Sequence, residues 1–264
     1  MHSLLGIYEP STSGDLTTMV LLAGVITFVF TTLLTIAGVG AAFILIPVFM
    51  ALGVEVHTAM ATALLLNAIS MSVASITFIR RKLVVWRIAI PILIVASALS
   101  PVGAHVSQGL DRAMLLWLFV GFLVFAALMM LFYTPKSRET TYGAGPLLGV
   151  GMGVGGAGGF LGGLLGVGGG NIIVPALVAL GFNPKKASAT TSFIVIFASL
   201  SGFLGHMSMA GINYPLLGWT VLGSAAGAAL GSWLMSDRLK GRQVKIIIGV
   251  VLIGIALKMA WGLL

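Results

Sequence analysis

The chain has 264 residues, of which 59% are hydrophobic and only 8% charged, and a net charge of +8. Soluble domains carry about 25% charged residues, so a water-soluble globule is excluded and the fold class is an all-α polytopic membrane protein. Cysteine is absent, which excludes disulfides, thiolate metal ligands and thiol nucleophiles.

The N-terminal stretch MHSLLGIYEPSTSGD has no Lys or Arg and no small-residue cleavage site, so it does not read as a removable signal peptide. About ten apolar segments follow, at 16–34, 36–52, 58–79, 88–107, 113–133, 143–165, 167–181, 187–208, 214–236 and 245–264. Most approach the twenty residues that a bilayer core demands of a helix. With the N-terminus outside and all ten crossing, twelve of the fourteen basic residues fall in cytoplasmic connections, leaving Arg112 and Lys258 on the other face. That asymmetry follows the positive-inside rule and predicts that both termini lie outside. If 36–52 and 167–181 were re-entrant, the Arg80–Arg87 and Lys185–Lys186 clusters would face opposite sides, so ten crossings are preferred. Placed this way, the positive charge serves orientation and contact with anionic lipid heads, and no nucleic-acid partner is implied.

The chain contains a repeat. GVGAAFILIPVFMALGVEVHTAMAT (Gly38–Thr62) aligns without gaps with GVGGGNIIVPALVALGFNPKKASAT (Gly166–Thr190), at an offset of 128 and with eleven of 25 positions identical. The organisation expected is a first membrane repeat at 1–134, a cytoplasmic linker at 135–142 and a second repeat at 143–264. Five segments per half make the two halves enter the membrane from opposite faces, the inverted-repeat architecture of many secondary transporters. In such folds, short Gly/Pro-interrupted segments at matching positions point to the substrate site, and 36–52 and 167–181 are such segments.

The glycine blocks free backbone N–H groups, and Pro47 and Pro175 each remove a helical hydrogen bond further on. Broken backbone at membrane depth is tolerated only where protein or water satisfies it. Free N–H groups at a half-helix start favour an anion. Asn67, Thr62, Asn171, Thr190, Thr191 and Ser192 supply neutral donors close by, while no Lys or Arg falls at the centre of any segment. The expected partners are therefore a small anionic substrate and the lipid bilayer.

Other features read as packing. Gly151, Gly155, Gly159 and Gly163, and later Gly223, Gly227 and Gly231, form small-residue stripes for helix contact. Gly151–Gly156 matches a dinucleotide fingerprint only in letters, with no strand before it, and no GK[ST] follows Gly166–Gly170. The four histidines and six acids are too dispersed for a metal site, and no cofactor is implied. His206, at the end of an apolar segment, and His57 are the candidates for proton coupling.

At GGLLGVGGGNIIVPAL, followed by Ala187-Ser-Ala-Thr190-Thr191-Ser192, the sequence resembles the TauE/SafE family, also called the toluene-sulfonate uptake permease family. The first half departs from the motif, with Ala41, Ala42 and Phe43 in place of Gly169, Gly170 and Asn171. The resemblance implies transport of sulfur-containing anions such as sulfite or organosulfonates across the bacterial inner membrane, usually outward. It implies motif positions Gly38, Gly40, Pro47, Gly166, Gly168, Gly169, Gly170, Asn171 and Pro175. The leading expectation is a secondary transporter working by alternating access. The alternatives are a passive anion channel and a non-transporting membrane protein. An enzyme is not expected, because no nucleophile and base pair up at depth.

Overall fold

A computed structural model of the chain describes residues 13–42, 45–46, 49, 54–132, 144–206 and 214–261. Every regular element among them is helical. In chain order these are α1 (Ser13–Ala37), α2 (Val56–Arg80), α3 (Trp86–Ser107), α4 (Arg112–Phe132), α5 (Ala144–Leu164), α6 (Gly170–Ala179), α7 (Pro184–His206), α8 (Tyr214–Trp233) and α9 (Gly241–Trp261). A π-helical turn, Leu234–Arg238, extends α8. Much of the expected segment 36–52, Pro47 included, and the whole expected linker 135–142 lie outside the described residues.

Among the described residues, three helices are long and apolar enough to cross a membrane: Val56–Arg80, Trp86–Ser107 and Pro184–His206. Their outward faces carry large apolar side chains where a soluble protein would present charge, among them Ile76, Ile94, Val102 and Leu204. Such faces suit lipid.

The glycine stripes explain how the helices approach. A Cβ on Gly151, Gly155, Gly159 or Gly163 of α5 would press on Pro91, Ile92, Ala96 or Ser100 of α3, so the two helices run parallel in close contact. Gly223, Gly227 and Gly231 of α8 stand in the same way against Gly24, Phe28 and Thr32 of α1. Small residues let backbones come near enough for dispersion to hold helices together where lipid offers no hydrophobic drive. Two hydroxyls then fasten α3 to α7: Ser100 Oγ donates to the Ala198 carbonyl at 2.8 Å, and Ser201 Oγ to the Ser97 carbonyl at 2.6 Å.

The helix ends separate the charge. At one end Arg81 Nη2 meets Asp237 Oδ2 at 2.6 Å, and Lys185 Nζ donates to the Ser236 carbonyl at 2.7 Å. The clusters that begin at Arg80 and at Lys185 therefore lie at the same end of the bundle. At the other end α2 begins on Glu55, whose carboxylate accepts the N–H groups of His57 and Thr58 at 2.9 and 3.0 Å. Burial pushes the Glu55 carboxyl up, but these two bonds and the nearby His57 outweigh it and hold it below the usual carboxylate range.

Candidate substrate site

The chain breaks after α5 because glycine lets it. Val167 and Gly168 both donate their N–H to the Gly162 carbonyl, at 2.8 and 3.2 Å. Gly166, Gly168 and Gly169 then take φ of +68°, +73° and +77°, a conformation that costs a residue with a Cβ roughly 1–2 kcal/mol. α6 starts at Gly170 on Gly169 as its cap, with no side-chain capping bond. Ile172 and Ile173 donate to the Gly169 carbonyl. The N–H groups of Gly170 and Asn171 are thus the ones a helix start leaves without an intrahelical acceptor.

α6 has ten residues, about 15 Å of helix, or roughly half of a 30 Å hydrocarbon core. Its start lies near mid-depth. A Cβ on Gly168 would meet Asn67, Val195 and Ser199, which sit near the middles of α2 and α7. The first-half block arrives at the same place. Gly38 and Gly40 have φ of +72° and +80°, and a Cβ on Gly40 would fall inside the Asn67 amide. Gly170 faces the Val39 backbone, which a Cβ would approach to 2.9 Å. The two broken segments therefore touch, with Asn67 between them.

Around that junction the polar groups are buried and underused. Asn67 Nδ2 donates to Ser199 Oγ at 2.9 Å, while Asn67 Oδ1 has no partner among the described residues. Both amide atoms of Asn171 and the hydroxyl of Thr191 are likewise without one, although Asn171 is 1% and Thr191 0% exposed. α6 and α7 form a hairpin joined at 180–183, so Asn171, one turn beyond Gly168, is level with Thr191, one turn before Val195. Each unsatisfied buried group costs about 1–3 kcal/mol. They fall on two levels, Asn67 beside Ser199 and Asn171 level with Thr191, about 12 Å apart along α7, and unsatisfied groups lining the two levels are what a site awaiting a polar ligand looks like.

The remaining expected residues are placed as follows. Thr62 and Ser192 donate to carbonyls of their own helices, Thr58 at 2.8 Å and Ser188 at 2.9 Å. Thr190 Oγ1 accepts the Val85 N–H at 3.0 Å, tying α7 to the segment before α3. Gly38 packs on Ser188 and Gly166 on Met60, and Pro175 is buried inside α6. His57 and His206 come together, ring centroids 6.0 Å apart, with His206 Nε2 3.0 Å from the Gly163 carbonyl. They lie at helix ends, about 15 Å along α2 from Asn67. Ser199 was not among the expected residues, although its place on the Thr191–Val195–Ser199 face, spaced by four, was the signal available. No group of three or more His, Cys, Asp or Glu among the described residues is placed to hold a metal.

Neither a curated protein nor a solved structure matches the chain. The family described as "Sulfite exporter TauE/SafE" matches residues 21–259, a span that takes in both glycine blocks, Asn67, Asn171 and Ser199. The chain belongs to the TauE/SafE sulfite exporter family of membrane transporters.

Proposed function

We propose that the chain is a secondary transporter that moves a small sulfur oxyanion, such as sulfite or an organosulfonate, outward across the inner membrane by alternating access. The observation that carries this is the meeting of two glycine breaks at a buried, uncharged cluster at mid-depth. Donors there come from helix-start N–H groups and neutral side chains. Such a site holds an anion weakly, on the order of 0.1–1 mM, and so releases it.

Two inverted halves frame the site in this reading. Support comes from helix starts that recur: Val56 and Pro184, and Trp86 and Tyr214, lie 128 residues apart, and Arg112 and Gly241 lie 129 apart. The contacts recur too, since α1 packs on α8 as α5 does on α3, and Gly38 meets Ser188 as Gly166 meets Met60. Ten crossings with both termini outside agree with Arg81 and Lys185 converging at one end. His57 and His206, at the opposite end, are the pair suited to proton coupling.

The test is flux of labelled sulfite in proteoliposomes, with and without a proton gradient. The reading expects saturable flux that the gradient drives. Linear flux indifferent to the gradient would make the protein a passive pore, and no flux of sulfite or sulfonates would remove the reading.

A further inference from the structure

We infer that the cargo bound at mid-depth is an oxyanion that still carries a proton, hydrogensulfite rather than the sulfite dianion; this rests on the transport reading above. Asn67 and Ser199 pair with each other, and both are wholly buried. With Asn67 Nδ2 donating to Ser199 Oγ, the amide oxygen is left as a bare acceptor among the described residues, and the second amide hydrogen and the serine hydroxyl remain as donors. Turn the amide over and the serine hydroxyl donates to it. The serine oxygen then becomes the bare acceptor and both amide hydrogens are donors. Either way the pair offers a donor and an acceptor side by side. Asn171 repeats the combination, with Nδ2 and Oδ1 both unpartnered among the described residues.

A dianion has only acceptors to offer. Against it the donors are satisfied, but each fixed acceptor faces a negatively charged oxygen in a site that weakly screens the repulsion. An O-protonated monoanion satisfies both kinds of group, since its hydroxyl donates to the bare acceptor. The penalty for leaving a buried site atom unpaired is what lets such sites tell close analogues apart. Among the described residues no ionisable position lies at that depth to offset a second negative charge. On the helices they lie in end turns: Asp15 on α1, His57 and Arg80 on α2, Arg87 and His105 on α3, Arg112 on α4, Lys185, Lys186 and His206 on α7, Tyr214 on α8, Arg242, Lys245 and Lys258 on α9. α5 and α6 have none.

The test is calorimetric binding to the purified full-length protein, on the acid and alkaline sides of sulfite's second ionisation. The probes are sulfite, sulfate and methanesulfonate, the last a monoanion at every working pH and without a hydroxyl. The inference expects the apparent affinity for total sulfite to fall about tenfold for each pH unit above that ionisation. Methanesulfonate should hold one affinity throughout, and sulfate should not displace sulfite. Ser199→Ala should narrow the preference for sulfite over methanesulfonate, a ratio that a general loss of folding leaves unchanged. A sulfite affinity that is flat or rises with pH overturns the inference while leaving transport intact. So does a parallel fall for methanesulfonate, which would assign the pH dependence to a protein group such as the His57–His206 pair. Failure of all three probes to bind at any pH instead removes the transport reading itself.

Discussion

Adding one methyl group at Gly168 is the sharpest perturbation of the mid-depth junction. Gly168→Ala meets two costs that can be worked from the structure. Its φ of +73° costs an L-residue roughly 1–2 kcal/mol. Its Cβ would press on Ser199 and come 2.8 Å from Asn67 Nδ2, and such overpacking costs about 1–3 kcal/mol. Together that is about 2–5 kcal/mol, enough to displace the junction rather than be absorbed by it. Gly153→Ala is the control, because Gly153 lies in α5 with nothing within 4 Å of its Cβ position. There alanine gains about 1 kcal/mol of helix propensity. Both variants, reconstituted in proteoliposomes, should be read by sulfite flux and by the thermal midpoint of tryptophan fluorescence. Gly168→Ala should lose flux by at least tenfold and lower the midpoint, and Gly153→Ala should keep the flux and slightly raise the midpoint. Wild-type flux and midpoint in Gly168→Ala would refute the close approach of Gly168 to Asn67 and Ser199, and with it the placement of the site.

Asn171→Ala should weaken sulfite binding by about 1–3 kcal/mol, and Asn171→Asp by far more because it sets a second negative charge beside the anion; equal affinities of the two would mean that Asn171 does not face the cargo. Cysteines introduced at Asn183 and Ser13 into this cysteine-free chain should label from the cytoplasm and from outside respectively, and labelling of position 183 from outside would reverse the topology. Arg81→Ala breaks an exposed ion pair and should cost under about 1 kcal/mol of stability, read from denaturation; a larger loss would show that the pair carries more of the bundle than its exposure implies. Glu55 has a depressed carboxyl pKa, so its capping contribution is present above the unfolded carboxylate range and is lost as pH falls through the folded value. Glu55→Gln should therefore flatten the acid limb of stability against pH, and an unchanged limb would assign it to another group.

The legible part of the fold was the part governed by hydropathy and small residues. Segment 58–79 emerges as Val56–Arg80 and 143–165 as Ala144–Leu164, because apolar length is a strong signal when lipid is the solvent. The stripes at Gly151–Gly163 and Gly223–Gly231 were readable as contact faces, since four-residue spacing places them on one side of a helix. Gly168 and Gly40 stood out by interruption, and both proved to hold positive φ beside Asn67. What the one-dimensional pattern does not carry is which hydroxyls are already engaged. Thr190 and Thr191 are neighbours in sequence, yet Thr190 accepts the Val85 N–H and Thr191 has no partner among the described residues. That difference is set by the 100° turn between successive helix positions and by a segment 105 residues away. Ser199 is missed for the same reason, since only tertiary packing brings it to Asn67 across 132 residues.

The neutrality of the cluster bears on how such a carrier turns over. A lysine at mid-depth would hold an oxyanion more firmly, but each tenfold gain in affinity adds about 1.4 kcal/mol to the step that releases it. It would also leave a charge buried in the empty protein, at a cost of about 2.5–3.5 kcal/mol on insertion scales. Asn67, Asn171, Thr191 and Ser199 leave no charge buried in the empty state, and two of them, Asn67 and Ser199, bond to one another at 2.9 Å. That pair bridges α2 and α7, which also bring His57 to His206 at one end and lie near the Arg81–Asp237 pair at the other. In the proposed reading, cargo bound across the Asn67–Ser199 pair contacts both of the helices that this bond joins. Occupancy of the site and the spacing of the helices that line it are, in that reading, parts of one equilibrium. A ligand shifts such an equilibrium only by its difference in affinity for the two arrangements, and cargo that bonds to Asn67 on α2 and Ser199 on α7 together would supply a difference of that kind without any fixed charge.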